Sequence, residues 1–311
     1  MSVFLGIDTS NYTTSVAAYD AKNNKMISHK KLLPVEKNAC GLRQSDAVFS
    51  HVKQFDEIVK EVMSEVDDEI TAIGVSTSPR DAEGSYMPCF MVGKMVANSI
   101  SSALKIPCYS FSHQCGHVAA ALFSVNRLDL LKREFICFHV SGGTTDVLHI
   151  KPNDEKIISA SLIGTSLDLK AGQAIDRVGV MLDLNFPCGA ELEKLAQKSS
   201  SEFKIKPYIK DLNCSISGLE NKAKKMLDEK YAYEDIAKFT ISFINEIISK
   251  TTSELKNIYP NLPIIYAGGV MSNKFIKDNI QNKYGGFFAE PCFSSDNAAG
   301  IAVLCSNAYN K

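Results

Sequence analysis

The sequence predicts an α/β fold of two similar lobes facing a cleft, and three observations carry that prediction. A strand, a small polar turn and a returning strand occur near residue 6 and again near residue 141. Apolar runs of strand length alternate with segments of helical periodicity along the chain. No linker or low-complexity stretch interrupts them, so the lobes should pack closely. A repeat of that kind marks internal duplication; two ordinary hairpins would leave the same local pattern.

Residues 3–7 form a buried-strand run that ends in the polar turn Gly6-Ile7-Asp8-Thr9-Ser10-Asn11. Residues 13–19 are β-branched at first and alternate, as a returning strand does. A third strand is expected over 26–33 and a polar loop over 38–45. From 47 to 66, Val48, Val52, Phe55, Ile58, Val59, Val62 and Met63 recur at helical spacing. A strand over 70–75 leads into a loop from 76 to 85, long enough to be functional. Helices over 90–104 and 112–122 flank a short strand over 106–110. The opening pattern then returns as strand 135–140, a Gly/Ser/Thr turn over 141–145 and strand 146–150. The later part is mostly helical, over 171–182, 190–197, 217–228 and 233–255. A last strand, 263–267, runs into Gly268-Gly269, which opens another helix; Asp296 starts a final helix over 297–308.

Composition narrows the class. The 311 residues are 45% hydrophobic and 22% charged, as in ordinary globular chains, with a net charge of -1 that announces neither nucleic acid nor membrane. Nine dispersed cysteines without a CxxC pair read as reduced thiols in a cytoplasmic protein. The first apolar run is short, ends at Asp8 and lacks a basic flank, so it does not read as a signal peptide. No apolar run approaches the roughly 18 residues that a membrane span needs, so no membrane partner is expected.

Two stretches carry the chemistry. In His113-Gln114-Cys115-Gly116-His117 the imidazoles are four residues apart, on one face of a helix, where two neutral rings can share a divalent ion. A helix with one core and one solvent histidine has the same spacing. A metal site of this kind needs a third protein ligand, so a carboxylate from elsewhere should complete it. Asp296 is a candidate, as third ligand, as a plain helix cap, or as both. Ser141-Gly142-Gly143-Thr144 lets backbone amides approach phosphate oxygens and adds hydroxyl donors; tight hairpin turns share that composition. Gly268-Gly269-Val270, at a strand–helix junction, is a second anion-sized site. Pro187-Cys188-Gly189-Ala190, turning into a helix, is a third wall, and Asp176 reads by itself as a solvent-exposed carboxylate on an apolar helix.

Taken together these stretches resemble the tRNA adenosine threonylcarbamoyltransferase family, once called glycoproteases. The family's His-x-x-Gly-His helix appears at 113–117, its Val-Ser-Gly-Gly turn at 140–143 and its Gly-Glu-Ala-Phe-Asp segment at 172–176. Its Pro-Gly-Gly-Pro turn is at 187–190, with Glu193 following. Its Ser-Phe-Ser-Gly-Leu is at 215–219, its Gly-Gly-Val-x-x-Asn at 268–273 and its Thr-Asp-Asn-Ala-Ala at 295–299. The resemblance implies a two-lobed, actin-like ATPase fold with a central cleft. The expected lobes are residues 1–110 joined by the C-terminal helix 297–311, and residues 111–296 with a helical insertion. It implies iron or zinc on His113, His117 and Asp296. It implies an adenine nucleotide, threonylcarbamoyl-AMP or ATP, held by Ser141, Gly142, Gly143, Thr144, Asp176, Gly189, Glu193, Gly268, Gly269 and Asn273. The implied reaction moves threonylcarbamoyl from the adenylate to the adenosine beside the anticodon of tRNA, with other threonylcarbamoylation proteins as helper subunits.

The chain departs from the family near the reacting group. Thr9-Ser10-Asn11-Tyr12-Thr13 stands where the family commonly has Thr-Ser-Cys-Asp-Glu, so Asn11 and Tyr12 replace two carboxylates at the expected catalytic turn. Thr144 replaces a His or Asn, and Ser78-Pro79-Arg80-Asp81 replaces Gly-Pro-Gly-Leu. A carbamoyltransferase with another acceptor, or a nucleotide-binding partner subunit without activity, are the competing functions. Peptidase chemistry of the His-Glu-x-x-His kind is disfavoured, because Gln114 occupies the place of the general base. The densest basic stretch, Lys204 to Lys225, is diluted by Asp211 and Glu220 and flanked by Glu202; it reads as a solvated face, with helper subunits supplying much of the tRNA contact.

Overall fold

A computed structural model describes residues 2–10, 12–34, 42–291, 293 and 297–311. The chain forms two compact units. One comprises Met1–Arg133, Ile150–Ala160 and Cys292–Lys311; the other comprises Glu134–His149 and Ser161–Pro291.

The first unit is built on β1 (Val3–Ser10), β2 (Thr13–Asp20), β3 (Lys25–Leu32), β4 (Ile70–Ser78) and β5 (Cys108–Ser112), in the order β3-β2-β1-β4-β5. The first three strands pair antiparallel, while β4 and β5 add in parallel to β1. Period-two alternation sends Val3, Leu5 and Ile7 to one face of β1. There they pack with Phe55, Ile58 and Val62 of α1 (Gln44–Ser64) and with Ala97 of α2 (Phe90–Leu104). On β1, Gly6 lies directly across from Gly74 of β4. Neither has room for a Cβ, because α9 (Asn297–Tyr309) runs over them. A Cβ on Gly6 would meet Ala298 O at 2.1 Å, and one on Gly74 would meet Ile301 O at 2.8 Å. On its far side α9 packs against α3 (His113–Ser124), where a Cβ on Gly300 would lie 1.8 Å from Gly116 O. The last helix is therefore buried between sheet and histidine helix, which explains its unbroken run of apolar and small residues.

The same strand order recurs in the second sheet. Strands β6 (Phe135–Val140), β7 (Thr145–Asn153) and β8 (Ile157–Thr165), with β11 (Ile264–Ala267) and β12 (Phe287–Phe288), run β12-β11-β6-β7-β8. The expected duplication thus holds at the level of topology. Phe138 and Tyr266, opposite each other on β6 and β11, stack at 5.0 Å, and Phe288 stacks on Tyr266 at 4.5 Å. The Tyr266 hydroxyl, fully buried, shares a hydrogen bond of 3.1 Å with Thr252. Helices α4 (Ala171–Met181), α5 (Gly189–Ala196), α6 (Ser217–Asp228), α7 (Tyr233–Ile258) and α8 (Lys274–Tyr284) contribute the rest of this core. A short hairpin, β9 (Tyr208–Lys210) with β10 (Asn213–Ser215), joins them. Among the described residues no helix is long and apolar enough to cross a membrane.

Candidate functional site

The histidine helix spans His113–Ser124, one residue later at its start and two later at its end than the expected 112–122. Ser112 is its N-cap and accepts a hydrogen bond from Cys115 N at 3.3 Å, so His113 is the first helical residue. Helical spacing brings the His113 and His117 rings to 4.6 Å between centroids, both half-buried. The decisive neighbour is Asp8, at the end of the apolar run in β1. Its carboxylate is fully buried, with Oδ2 2.8 Å from His113 Nδ1 and Oδ1 accepting from Ser10 N at 3.0 Å. Burial pushes the Asp8 carboxyl up, but the adjacent His113 ring and these hydrogen bonds hold it below its ordinary value. A carboxylate on Nδ1 fixes the ring and its tautomer and leaves the Nε2 lone pair for a cation, the usual arrangement behind a metal-ligating histidine. The pair can therefore supply two imidazole ligands to a divalent ion. Among the described residues no third His, Cys, Asp or Glu completes a cluster with the pair. Asp296 and Asn11 lie outside the described residues; Asn297, the next described residue after Asp296, packs its carbonyl against Gly116 of the histidine helix.

The loop after β4 is tied to this helix. Pro79 O accepts from Gln114 N at 3.0 Å. Asp81 accepts from Cys115 Sγ at 3.0 Å and from Lys156 Nζ at 3.1 Å. Burial, with Asp81 beside it, pushes the Cys115 thiol up, so it stays protonated and acts as a donor. Tyr12, the described half of the expected catalytic turn, is exposed; its carbonyl accepts from Leu33 N at 2.9 Å.

The second unit gathers the remaining expected residues by a chain of contacts. The turn over 141–144 closes through Ser141 N to Thr144 O at 2.8 Å. It docks on the start of α4: Ala171 N donates to Thr145 Oγ1 at 2.8 Å and Gly172 N to Ser141 O at 3.2 Å. Gly172 must be glycine, because a Cβ would lie 2.6 Å from Gly142 Cα. Gly142 and Gly143 face open space, and neither N–H has a partner among the described residues. One turn along α4, Asp176 is half-buried rather than solvent-exposed, which corrects the sequence expectation. Burial pushes its carboxyl up, and it accepts from Cys188 N at 2.9 Å, beside Gly189. On α5, Glu193 accepts from Lys274 N at 2.7 Å, next to Asn273, whose side chain caps α8 through Ile276 N at 3.1 Å. Gly268, at φ 100°, brings the corner before Gly269 against Val140 O. Two open N–H groups on an exposed turn can hold a phosphate.

A family model described as "tRNA N6-adenosine threonylcarbamoyltransferase" matches residues 35–303. The chain belongs to that family. A threonylcarbamoyltransferase of Thermosipho melanesiensis is 33% identical over 97% of this chain and 93% of its own length. Like its relatives, the chain is an enzyme of the transferase class. Among solved structures, component A of (R)-2-hydroxyglutaryl-CoA dehydratase from Acidaminococcus fermentans superposes with a TM-score of 0.57 at 13% identity, covering 100% of both chains. A ROK family glucokinase from Streptomyces griseus, in complex with glucose and AMPPNP, gives 0.55 at 9% identity over 99% of this chain and 100% of its own. At such identities the likeness shows the fold, the actin-like ATPase architecture expected of this threonylcarbamoyltransferase family.

Open space at Gly142 makes it a clean probe of the cradle, because a Cβ there meets no heavy atom within 4 Å. Gly142→Val should fold with unchanged Tm yet bind ATP at least about tenfold more weakly, since phosphate contact requires close backbone approach. Equal affinities by calorimetry would remove the turn from the binding site.

Proposed function

We propose that the chain transfers threonylcarbamoyl from threonylcarbamoyl-AMP to the exocyclic amine of the adenosine beside the anticodon of tRNA. Membership of the family motivates the reaction, and three links support the nucleotide half of it: the 141–144 turn to the start of α4, Asp176 to Cys188 beside Gly189, and Glu193 to Lys274 beside Asn273. The adenine nucleotide sits on these residues, with its phosphate on the N–H groups of Gly142 and Gly143. Asp176, Glu193 and Asn273 surround the nucleoside end. His113 and His117, with Asp296, hold a divalent metal, iron or zinc, which when bound supplies Lewis-acid polarisation and a template for the carbamoyl adenylate. Asp8 orients His113 toward it. The amine nitrogen bonds to the carbamoyl carbon, the bond from that carbon to the phosphate oxygen breaks with AMP as leaving group, and the amine's proton passes to solvent. The reaction takes place in the cytoplasm, where seven thiols of the described residues are free, and with helper subunits that share the tRNA contact.

Incubating the chain with threonylcarbamoyl-AMP and bulk tRNA, then digesting the RNA, should yield threonylcarbamoyladenosine by mass spectrometry. Its absence, with helper subunits present, would sink the reading. A second reading, transfer to a different acceptor, is favoured by Asn11 and Tyr12, because an amide and a phenol stand where the family commonly has two carboxylates that could serve as a general base. Asn11→Asp with Tyr12→Glu should therefore speed transfer to tRNA by about tenfold or more, toward the ~10²–10⁴ of general-base catalysis. No gain, together with transfer to another acceptor, would favour the second reading.

A further inference from the structure

Residues 203–210 alternate with a regularity their composition alone does not reveal. Lys204, Lys206, Tyr208 and Lys210 are exposed, while Ile205 and Pro207 are buried and Ile209 is half-buried. Phe203, Ile205 and Ile209 pack into the core of the second unit, and β9 lies on α7. Tyr208 and Lys210 share one face of β9, and the same alternation of exposed and covered residues continues back through Lys206 and Lys204. Among the described residues none of the three lysines makes an ion pair, and the same holds for Lys222 and Lys224 on α6. The carboxylates nearby, Glu202 and Asp211, flank the row, and Glu220 is engaged by Arg177 at 2.9 Å. A row kept only for solvation has no need of Tyr208, whose ring is 57% exposed between two lysines.

The row is also anchored to the nucleotide turn. Its partner strand bridges to Ser166 through Cys214, Leu167 N donates to Cys214 O at 2.9 Å, and Thr165 N donates to Asn213 Oδ1 at 3.0 Å. Ser166 N in turn donates to Thr145 O at 2.9 Å, beside the 141–144 turn. We propose that Lys204, Lys206, Tyr208 and Lys210 form a docking strip for a single-stranded loop of RNA, with phosphates along the lysines and an unstacked base on the tyrosine. The proposal deepens the tRNA reading and rests on it. Single-stranded loops are the RNA elements that present both free bases and a flexible backbone, and a lysine row interrupted by an aromatic ring suits both. An acidic protein would use the lysines and leave the ring idle.

The test measures binding of bulk tRNA by anisotropy across a salt series. It compares the full chain, the triple variant Lys204→Glu/Lys206→Glu/Lys210→Glu and the single variant Tyr208→Ala, with ATP binding by calorimetry and polyglutamate as a second polyanion. The triple variant should lose at least tenfold in tRNA affinity, and its log–log salt slope should fall by about 2, at about 0.7 per lost phosphate contact on a single strand. Tyr208→Ala should weaken tRNA at least about fivefold and leave polyglutamate unchanged. ATP affinity should stay that of the parent throughout. Variants that bind tRNA like the parent would overturn the strip and leave the transferase reading standing. A parent that binds no tRNA at low salt would overturn both. A triple-variant loss with Tyr208→Ala silent on tRNA would assign the row to acidic proteins and overturn the RNA assignment.

Discussion

Gly300→Val should cost the first unit about 4–5 kcal/mol, the upper range for a single substitution. The Cβ of any residue at 300 would lie 1.8 Å from Gly116 O and 2.7 Å from Ala120 N, both backbone atoms of the histidine helix. Backbone cannot turn aside as a flexible side chain can, so α9 and α3 must separate, and the contacts of α9 with Gly6 and Gly74 loosen with them. At about 2–4 °C per kcal/mol, the melting temperature should fall on the order of 10 °C or more. Gly218→Ala is the control: its Cβ enters open space at the start of α6, and the change should stay within about 0.5 kcal/mol, if anything stabilising. Thermal unfolding followed by circular dichroism reads both. An unshifted midpoint for Gly300→Val would mean that the helix pair is looser than its glycine contact implies.

Asp8→Ala should lower affinity for zinc or iron by about 10- to 100-fold, the usual consequence of removing the carboxylate behind a ligating imidazole. The reason is geometric. Without Oδ2, 2.8 Å from Nδ1, the His113 ring is free to rotate and to carry its proton on the nitrogen that should face the ion. Asp8→Asn keeps an acceptor without the charge and should fall between Ala and the parent. Chelator competition on purified protein reads the affinity directly, and His117→Ala serves as the benchmark for loss of a ligand. If Asp8→Ala binds metal as tightly as the parent, the carboxylate supports the fold rather than the site.

Asp8 also shows where reading the sequence stopped. Locally it is only the polar residue that ends an apolar run, and its partner is 105 positions away. Nothing in periodicity or spacing links the two. By contrast, the helix carrying His113 was legible because capping and helical spacing are local; so were α2, β6 and α6, whose observed limits coincide with those expected. The short strand β5 came out two residues later than expected, and α1 begins at Gln44 rather than 47. The elements without a sequence signal share a physical trait. Strand β8 is an edge strand whose residues neither alternate nor stay apolar, β12 has two residues, and the β9–β10 hairpin has three in each strand. Each is fixed by a neighbour already in place. Asp176 was misjudged for the same reason: the loop that half-covers it arrives through Cys188, from outside its own helix.

The burial of α9 between Gly6, Gly74 and Gly116 sets an order on the birth of this protein. Ribosomes deliver residue 6 long before residue 298, and until the later segment emerges, the glycine face of β1 and β4 has nothing to lie against. The strands and histidine helix of the first unit must therefore wait, partly uncovered, while the second unit is made in between. A translation pause before residue 297 would leave the histidine helix without its support, and newly made chains would depend on chaperones at that stage.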